Sequence, residues 1–173
     1  MANPFDDLLS AAQDGNLESL MAALRAGTDI TGKVISDTST PIWGKAALHL
    51  AAARGHIDVA KELLAAGADP NAMSVRTKIL TGEAPLHIAA RNGHVDMCRV
   101  LLAGGAKPDL RQIDRYDAPG RFPLQLAVEG NHMEVLRLLL QTDYEAAKVA
   151  ASAALYEAAE AGRESLMRRM ALS

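Results

Sequence analysis

The apolar and polar positions of the chain repeat as five copies of one short pattern. Spacings of three and four residues place side chains on one face of a helix, and glycine or asparagine readily adopts the left-handed conformation that ends one. Each copy has an opening leucine, an alanine three residues later and a glycine or asparagine seven residues after the leucine, namely Leu8, Leu48, Leu86, Leu124 and Leu155, then Ala11, Ala51, Ala89, Ala127 and Ala158, then Gly15, Gly55, Gly93, Asn131 and Gly162. The pattern predicts a short helix, a turn and a second helix in every copy.

The third copy shows the pattern most clearly. Pro85 suits the first position of a helix, where its missing N–H is not needed, and Gly93 stops that helix. A second helix is predicted from Val95, with an inward face of Val95, Cys98, Leu101 and Leu102 and an end at Gly104 and Gly105. Helices of two or three turns do not persist alone in water, so neighbouring copies are expected to stack.

Two segments of the chain resemble the ankyrin-repeat family. They are Ala84-Pro85-Leu86-His87-Ile88-Ala89-Ala90 and Gly67-Ala68-Asp69-Pro70-Asn71-Ala72, and the first is similar to the family's T-P-L-H-x-A motif, which recurs about every 33 residues. The resemblance implies an all-α solenoid of about five helix pairs with short β-hairpin fingers. It also implies atypical first and last units that act as caps, and a function in binding other proteins.

The connections between copies are longer than this resemblance requires. Successive opening leucines are 40, 38, 38 and 31 residues apart, and the surplus over about 33 falls between the helical parts. We therefore predict extended hairpin fingers at 33–47, 73–85 and 111–123, with a glycine kept at each base, Gly44, Gly82 and Gly120. The predicted units of this single domain, 1–173, are approximately 5–32, 45–72, 83–110, 121–142 and 152–173.

Composition narrows the classes of function. The chain is 49% hydrophobic but only 3% aromatic, which is typical of a core of alanine and leucine. A net charge of -3 and a pI near 5.9 give no polybasic face for nucleic acid. No apolar run is long enough to span a membrane, the start lacks the features of a signal peptide, and the lone cysteine has no disulfide partner. We expect a soluble, cytoplasmic protein that is monomeric by itself.

Repeat position accounts for the residues that most often carry chemistry. His49 and His87 occupy one position of the pattern, and His56, His94 and His132 occupy another. Equivalent positions on stacked units are about 10 Å apart, too far for shared metal ligation. Cys98 is expected to be buried and inert. No nucleophile, phosphate-binding or dinucleotide-binding motif is present, so we expect no enzyme activity, cofactor or metal.

Residues that the repeat does not explain are candidates for binding a partner. Aromatic and arginine side chains on a rigid scaffold are frequent binding anchors, and in ankyrin-like proteins the positions after the finger glycine and before the turn face the concave side. The candidates are Trp43, Lys45, Arg54, Arg76, Lys78, Glu83, Arg91, Arg115, Tyr116, Arg121, Phe122 and Glu129. The alternatives are that finger side chains pack against one another and that the charges form a solvated face.

These residues favour a non-enzymatic module that binds a folded protein through its concave face and fingers. Blocking the partner's active site or masking its interface is the expected effect. The alanine and arginine content is typical of a high-GC bacterium, where such a protein could be an immunity protein or antitoxin; an effector or scaffold for host proteins is the alternative. A competing class is a small-molecule binder or enzyme with a pocket between the fingers, using a carboxylate pair such as Asp114 and Asp117.

Overall fold

The fold consists of helix pairs that follow one another along the chain. The computed structural model describes residues 4–28, 30, 47–76, 81–113 and 120–142. In these residues the helices form four pairs: α1 Pro4–Asp14 with α2 Leu17–Arg25, α3 Ala47–Arg54 with α4 Ile57–Ala65, α5 Pro85–Asn92 with α6 Val95–Ala103, and α7 Pro123–Glu129 with α8 Met133–Thr142. Pro85 is the first residue of α5, as the sequence predicts.

The pairs stack so that each kind of helix forms its own row. The first helices α1, α3, α5 and α7 contact one another in chain order, and so do the second helices α2, α4, α6 and α8. Each pair therefore contacts mainly its two neighbours, which is the arrangement of a solenoid. The prediction of an all-α helical repeat is confirmed. The fifth predicted unit, 152–173, lies outside the described residues.

The core between the rows is made of alanine and leucine. Ala51, Ala52, Ala89 and Ala90 in the first helices are fully buried, so neighbouring backbones can approach closely. In the second helices the structure refines the predicted inward face. Leu101 is 0% exposed, whereas Leu102 is only partly buried, and Met97, which the sequence pattern did not select, is 1% exposed.

The turn between the two helices of each pair is left-handed, as predicted. Its φ angles are +74° at Gly15, +74° at Gly55, +73° at Gly93 and +57° at Asn131. Asparagine is the residue that most readily replaces glycine in this conformation. The fourth turn thus keeps the same backbone with a different residue.

We expect Gly93→Ala to destabilise the protein more than the matched variant Gly55→Ala. Both add a Cβ at the same positive φ, which costs about 1 kcal/mol. At Gly93 the new Cβ would also lie 2.4 Å from the His132 ring, whereas at Gly55 it would lie 3.5 Å from the His94 ring. Displacing His132 should add about 1 kcal/mol. Urea denaturation of both variants measures the difference; equal losses of stability would contradict the proposed clash.

The first pair has polar residues at four positions where the second pair is mostly apolar. In register with Ala47, Leu50, His56 and Val59 of the second pair, the first pair has Asp7, Ser10, Asn16 and Ser19. Val59 is 2% exposed, but Ser19 is exposed. These side chains line an open groove of about 520 Å³ between α1 and α2. The first pair therefore places polar side chains where the second pair has mostly apolar ones, as expected of a cap.

The second and third fingers are joined by backbone hydrogen bonds. The second finger is a hairpin of β1 Ser74–Arg76 and β2 Thr81–Glu83. Gly82 and Ile113 exchange two bonds of 2.9 and 2.8 Å, which link this hairpin to the third finger. Gly120 lies so close to the chain opposite that an added Cβ would be 1.7 Å from the Gln112 carbonyl oxygen. The finger bases are thus held rigidly side by side.

Candidate functional site

The histidines in the turns connect neighbouring helix pairs. The Nε2 atom of His56 lies 3.0 Å from the Gln13 carbonyl oxygen, and that of His132 lies 2.9 Å from the Arg91 carbonyl oxygen. His94 makes the corresponding contact of 3.3 Å with Ala53. Each acceptor lies two residues before the turn position of the preceding pair. These histidines therefore have a structural role, and no group of three metal-ligating side chains occurs among the described residues.

The histidines near the start of the first helices hold the finger bases. The Ala84 backbone N–H donates to His87 Nδ1 at 3.1 Å, and His49 Nε2 lies 3.1 Å from the Glu83 carbonyl oxygen in the next pair. Burial lowers the pKa of His87 to about 4, against smaller raising effects that include the Glu83 carboxylate. His87 is therefore neutral at pH 7, and both histidines help to fix the backbone around Glu83.

Cys98, the single cysteine in the sequence, lies in the core. It is 0% exposed on α6, and burial raises the pKa of its thiol to about 12. The thiol is therefore protonated at neutral pH, and a protonated, inaccessible thiol is a poor nucleophile. This agrees with the expectation that Cys98 is a packing residue.

The reactivity of Cys98 should report on unfolding. We expect a thiol reagent such as 5,5′-dithiobis(2-nitrobenzoate) to modify the native protein at the rate at which the α5–α6 region opens, and the urea-unfolded chain within seconds. Stopped-flow absorbance in both conditions makes the comparison. Rapid stoichiometric labelling of the native protein would contradict the burial of this thiol.

Four predicted partner-binding residues form two ion pairs at the finger bases. Arg91 Nη2 donates to Glu83 Oε2, and Arg121 Nη1 donates to Glu129 Oε2 at 2.8 Å. In both pairs one residue follows the finger glycine and the other lies eight residues later, near the end of the first helix. The signs are reversed between the two neighbouring units. The sequence placed these charges on one face but did not predict that they pair within their own unit.

Two residues that the sequence analysis missed extend this face. Gln112 Nε2 donates to Glu83 Oε2 at 3.2 Å, so it joins the third finger to the ion pair of the preceding unit. The guanidinium of Arg111 lies 4.2 Å from the centre of the Phe122 ring, and its Nη1 is 3.5 Å from the Gly120 carbonyl oxygen. The available signal was an arginine at the first position of a finger that contains two aromatic residues.

Phe122 is a correction to the predicted set of surface anchors. Its side chain is only 6% exposed and belongs to the core. The residue directly precedes Pro123 at the start of α7, and its backbone N–H donates to Gln125 Oε1 at 2.8 Å. The ring therefore packs inward beneath Arg111. Phe122 is therefore a core residue, and Arg111 takes the exposed position.

The other candidates are placed unevenly. Arg54 is exposed at the end of α3, and the backbone of Arg76 forms the last position of β1. The first finger at 33–46 and the tips of the other two fingers lie outside the described residues. The same is true of the candidates in these segments, Trp43, Lys45, Lys78, Arg115 and Tyr116. The carboxylates Asp114 and Asp117 of the enzyme alternative also lie there.

Most of the described side chains of this face are linked to one another by hydrogen bonds. We call it the arginine face and define it as Glu83, Arg91, Arg111, Gln112, Arg121 and Glu129. Exposed ion pairs contribute only about 0 to 1 kcal/mol to stability, so folding does not require them. Their hydrogen bonds instead fix the orientation of side chains on two adjacent units. Such a surface can recognise a macromolecule by shape and hydrogen bonding.

A row of stacked helix pairs, with one hairpin joined to the next finger by a bridge, defines a class of helical-repeat interaction scaffold. The family model described as Ankyrin repeats (3 copies) matches residues 8–112, and the Ankyrin repeat model matches residues 120–151. The chain belongs to the ankyrin-repeat family, and it is accordingly a protein–protein interaction module. No curated protein matches the sequence.

The described helices do not include a membrane span. Among these residues no helix is long and apolar enough to cross a bilayer.

Proposed function

We propose that this protein is a non-enzymatic binder that holds one folded partner protein against the arginine face and the adjoining fingers. The observation that carries the proposal is that two adjacent units each have an ion pair, Glu83–Arg91 and Arg121–Glu129. Both ion pairs lie beside finger bases that are hydrogen-bonded to each other. All four side chains are at least partly exposed, so packing of the core does not require either pair. We propose that the predicted candidates Trp43, Arg115 and Tyr116 also contact the partner.

The physical basis of the proposed binding is preorganisation. Immobilising a flexible charged side chain at an interface costs about 0.5 to 1.5 kcal/mol. Arg91 and Arg121 are already held by Glu83 and Glu129, so part of this cost is absent. A few contacts on a rigid surface can then give specific binding. We propose that the monomeric protein acts in the cytoplasm.

The proposed effect on the partner is occlusion. A surface built from two adjacent units and their finger bases covers the part of the partner that it contacts. If that part is an active site, the result is inhibition, which is the action of an immunity protein or antitoxin. Assaying the partner's own activity with increasing amounts of this protein tests the inhibitory role, and full activity in the saturated complex would restrict the role to scaffolding.

The binding surface is tested by affinity purification from the organism that encodes the protein, followed by hydrogen exchange of the isolated complex. We expect protection in 81–92 and 111–129, with little change in α4 and α6.

The double variant Arg91→Glu/Arg121→Glu should weaken the complex about tenfold or more. Arg99→Glu is the matched control, because Arg99 is an exposed helical arginine 3.9 Å from Asp96 in the second-helix row. Protection confined to the second-helix row, or equal effects of both variants, would refute the proposed surface.

A further inference from the structure

The charges of the chain are distributed unevenly between the fingers and the rest. The three predicted finger segments, 33–47, 73–85 and 111–123, contain seven lysine and arginine residues against four aspartate and glutamate residues, a formal charge of +3. The whole chain carries -3, so the remaining residues carry -6. The overall acidity therefore hides a basic region in the sequence. Such a separation of charge attracts and orients a partner of matching sign.

The hydrogen bonds of the arginine face favour the same sign. Glu83 Oε2 already accepts from both Arg91 and Gln112, and the Glu83 side chain is only 21% exposed. Glu129 Oε2 accepts from Arg121. One oxygen of each carboxylate on this face is thus engaged by residues of the same chain.

The arginines of the face retain unused donors. A guanidinium has five N–H donors, and among the described residues Arg91 and Arg121 each donate through a single nitrogen. Their side chains are 43% and 52% exposed. The Arg111 guanidinium lies over the Phe122 ring, and because Arg111 is exposed its N–H groups remain accessible. Donors therefore outnumber acceptors on the solvent side of this face.

We infer that the partner presents a carboxylate-rich surface, a cluster of aspartate and glutamate side chains, to the arginine face. This inference rests on the proposed function and specifies the chemistry of the partner. Guanidinium and carboxylate groups match in bidentate geometry, and stacked or ion-paired arginines are already oriented for such contacts. Arg91, Arg111 and Arg121 are the residues that supply the donors.

The test uses fluorescence anisotropy of four labelled probes with the full chain. Three are twelve-residue peptides: one is rich in aspartate and glutamate, one is rich in lysine, and one contains only serine and glycine. The fourth is a single-stranded oligothymidylate of twelve nucleotides. We expect the acidic peptide to bind tightest, and its affinity to fall about tenfold or more between about 50 and 500 mM salt. Equal binding of all peptides would overturn the inference. Tighter binding of the oligonucleotide would also do so, because it would assign the face to nucleic acid.

Matched variants locate the effect. Arg91→Ala and Arg111→Ala should each weaken binding of the acidic peptide about fivefold, and Arg99→Ala should change it less than twofold. Removing Arg111 uncovers Phe122 and could disturb the fold, so circular dichroism must show that the variant keeps the native helix content. Arg111→Gln provides a second variant that retains more of the side chain. Equal effects of Arg91→Ala and Arg99→Ala would overturn the assignment to this face.

The two proposals can fail separately. A natural partner that protects the arginine face but contacts it through neutral or basic residues would refute the inference and leave the proposed function intact. Protection elsewhere in the natural complex would refute the proposed function, whatever the result with the acidic peptide.

Discussion

Lowering the pH from about 7.5 to about 4.5 is expected to destabilise the protein by about 2 to 3 kcal/mol through His87 alone. His87 is 0% exposed, and burial lowers its pKa from 6.5 to about 4 in the folded state. Between these two values the unfolded chain binds a proton at this site and the folded chain does not. Stability from this residue is therefore complete above pH 6.5 and is lost progressively toward pH 4.

The protein itself suggests the control for this experiment. Gln125 occupies the position of His87 in the next unit and accepts a hydrogen bond of 2.8 Å from the Phe122 N–H, as His87 Nδ1 does from Ala84. His87→Gln should keep this bond and remove the titrating group. Urea denaturation at both pH values measures the four stabilities. The variant should lose about 2 to 3 kcal/mol less than the wild type on acidification; an equal loss in the two proteins would contradict the altered pKa.

Leu101→Ala is expected to cost about 3 kcal/mol of unfolding free energy, which is typical of a leucine removed from a closed core. Leu101 is fully buried on α6, which contacts both α4 and α8 in the second-helix row. The cavity would therefore weaken two interfaces between units. Because short helices depend on their neighbours, thermal unfolding should also become less cooperative.

Leu102→Ala is the matched control for this substitution. Leu102 is the next residue of the same helix and is only partly buried, so its truncation should cost about 1 kcal/mol. Chemical denaturation monitored by circular dichroism compares the two variants. Equal losses would mean that the two leucines share the core as the sequence pattern alone suggested.

Repetition made the architecture readable from the sequence. The opening leucines, the small alanines and the turn residues recur at fixed distances, so one correct interpretation of Leu86 to Gly93 applied to each of the four copies that the structure describes. The prediction held even at Asn131, whose φ of +57° replaces that of a glycine. Local chemistry also determined the helix starts, because Pro85 and Pro123 occupy first positions of their helices. These features depend on a few neighbouring residues, and a sequence displays those directly.

The candidate site was less predictable, because it depends on contacts between segments that are distant in the chain. The pattern placed Glu83 and Arg91 on one face, but their pairing requires the finger base to lie beside the end of α5. Gln112 reaches Glu83 from another unit, 29 residues away. The sequence did not show whether Arg111 or Phe122 would be exposed, because that depends on how the third finger packs against α7.

The sequence by itself determined the helix pairs and turns of the described residues, because both follow from spacing and from the conformational limits of leucine, alanine, glycine and proline. The tertiary structure decided which leucine of each second helix is fully buried, which charges pair and which member of the Arg111–Phe122 stack faces solvent. These outcomes depend on the distance and orientation between neighbouring units, and no single repeat contains that information.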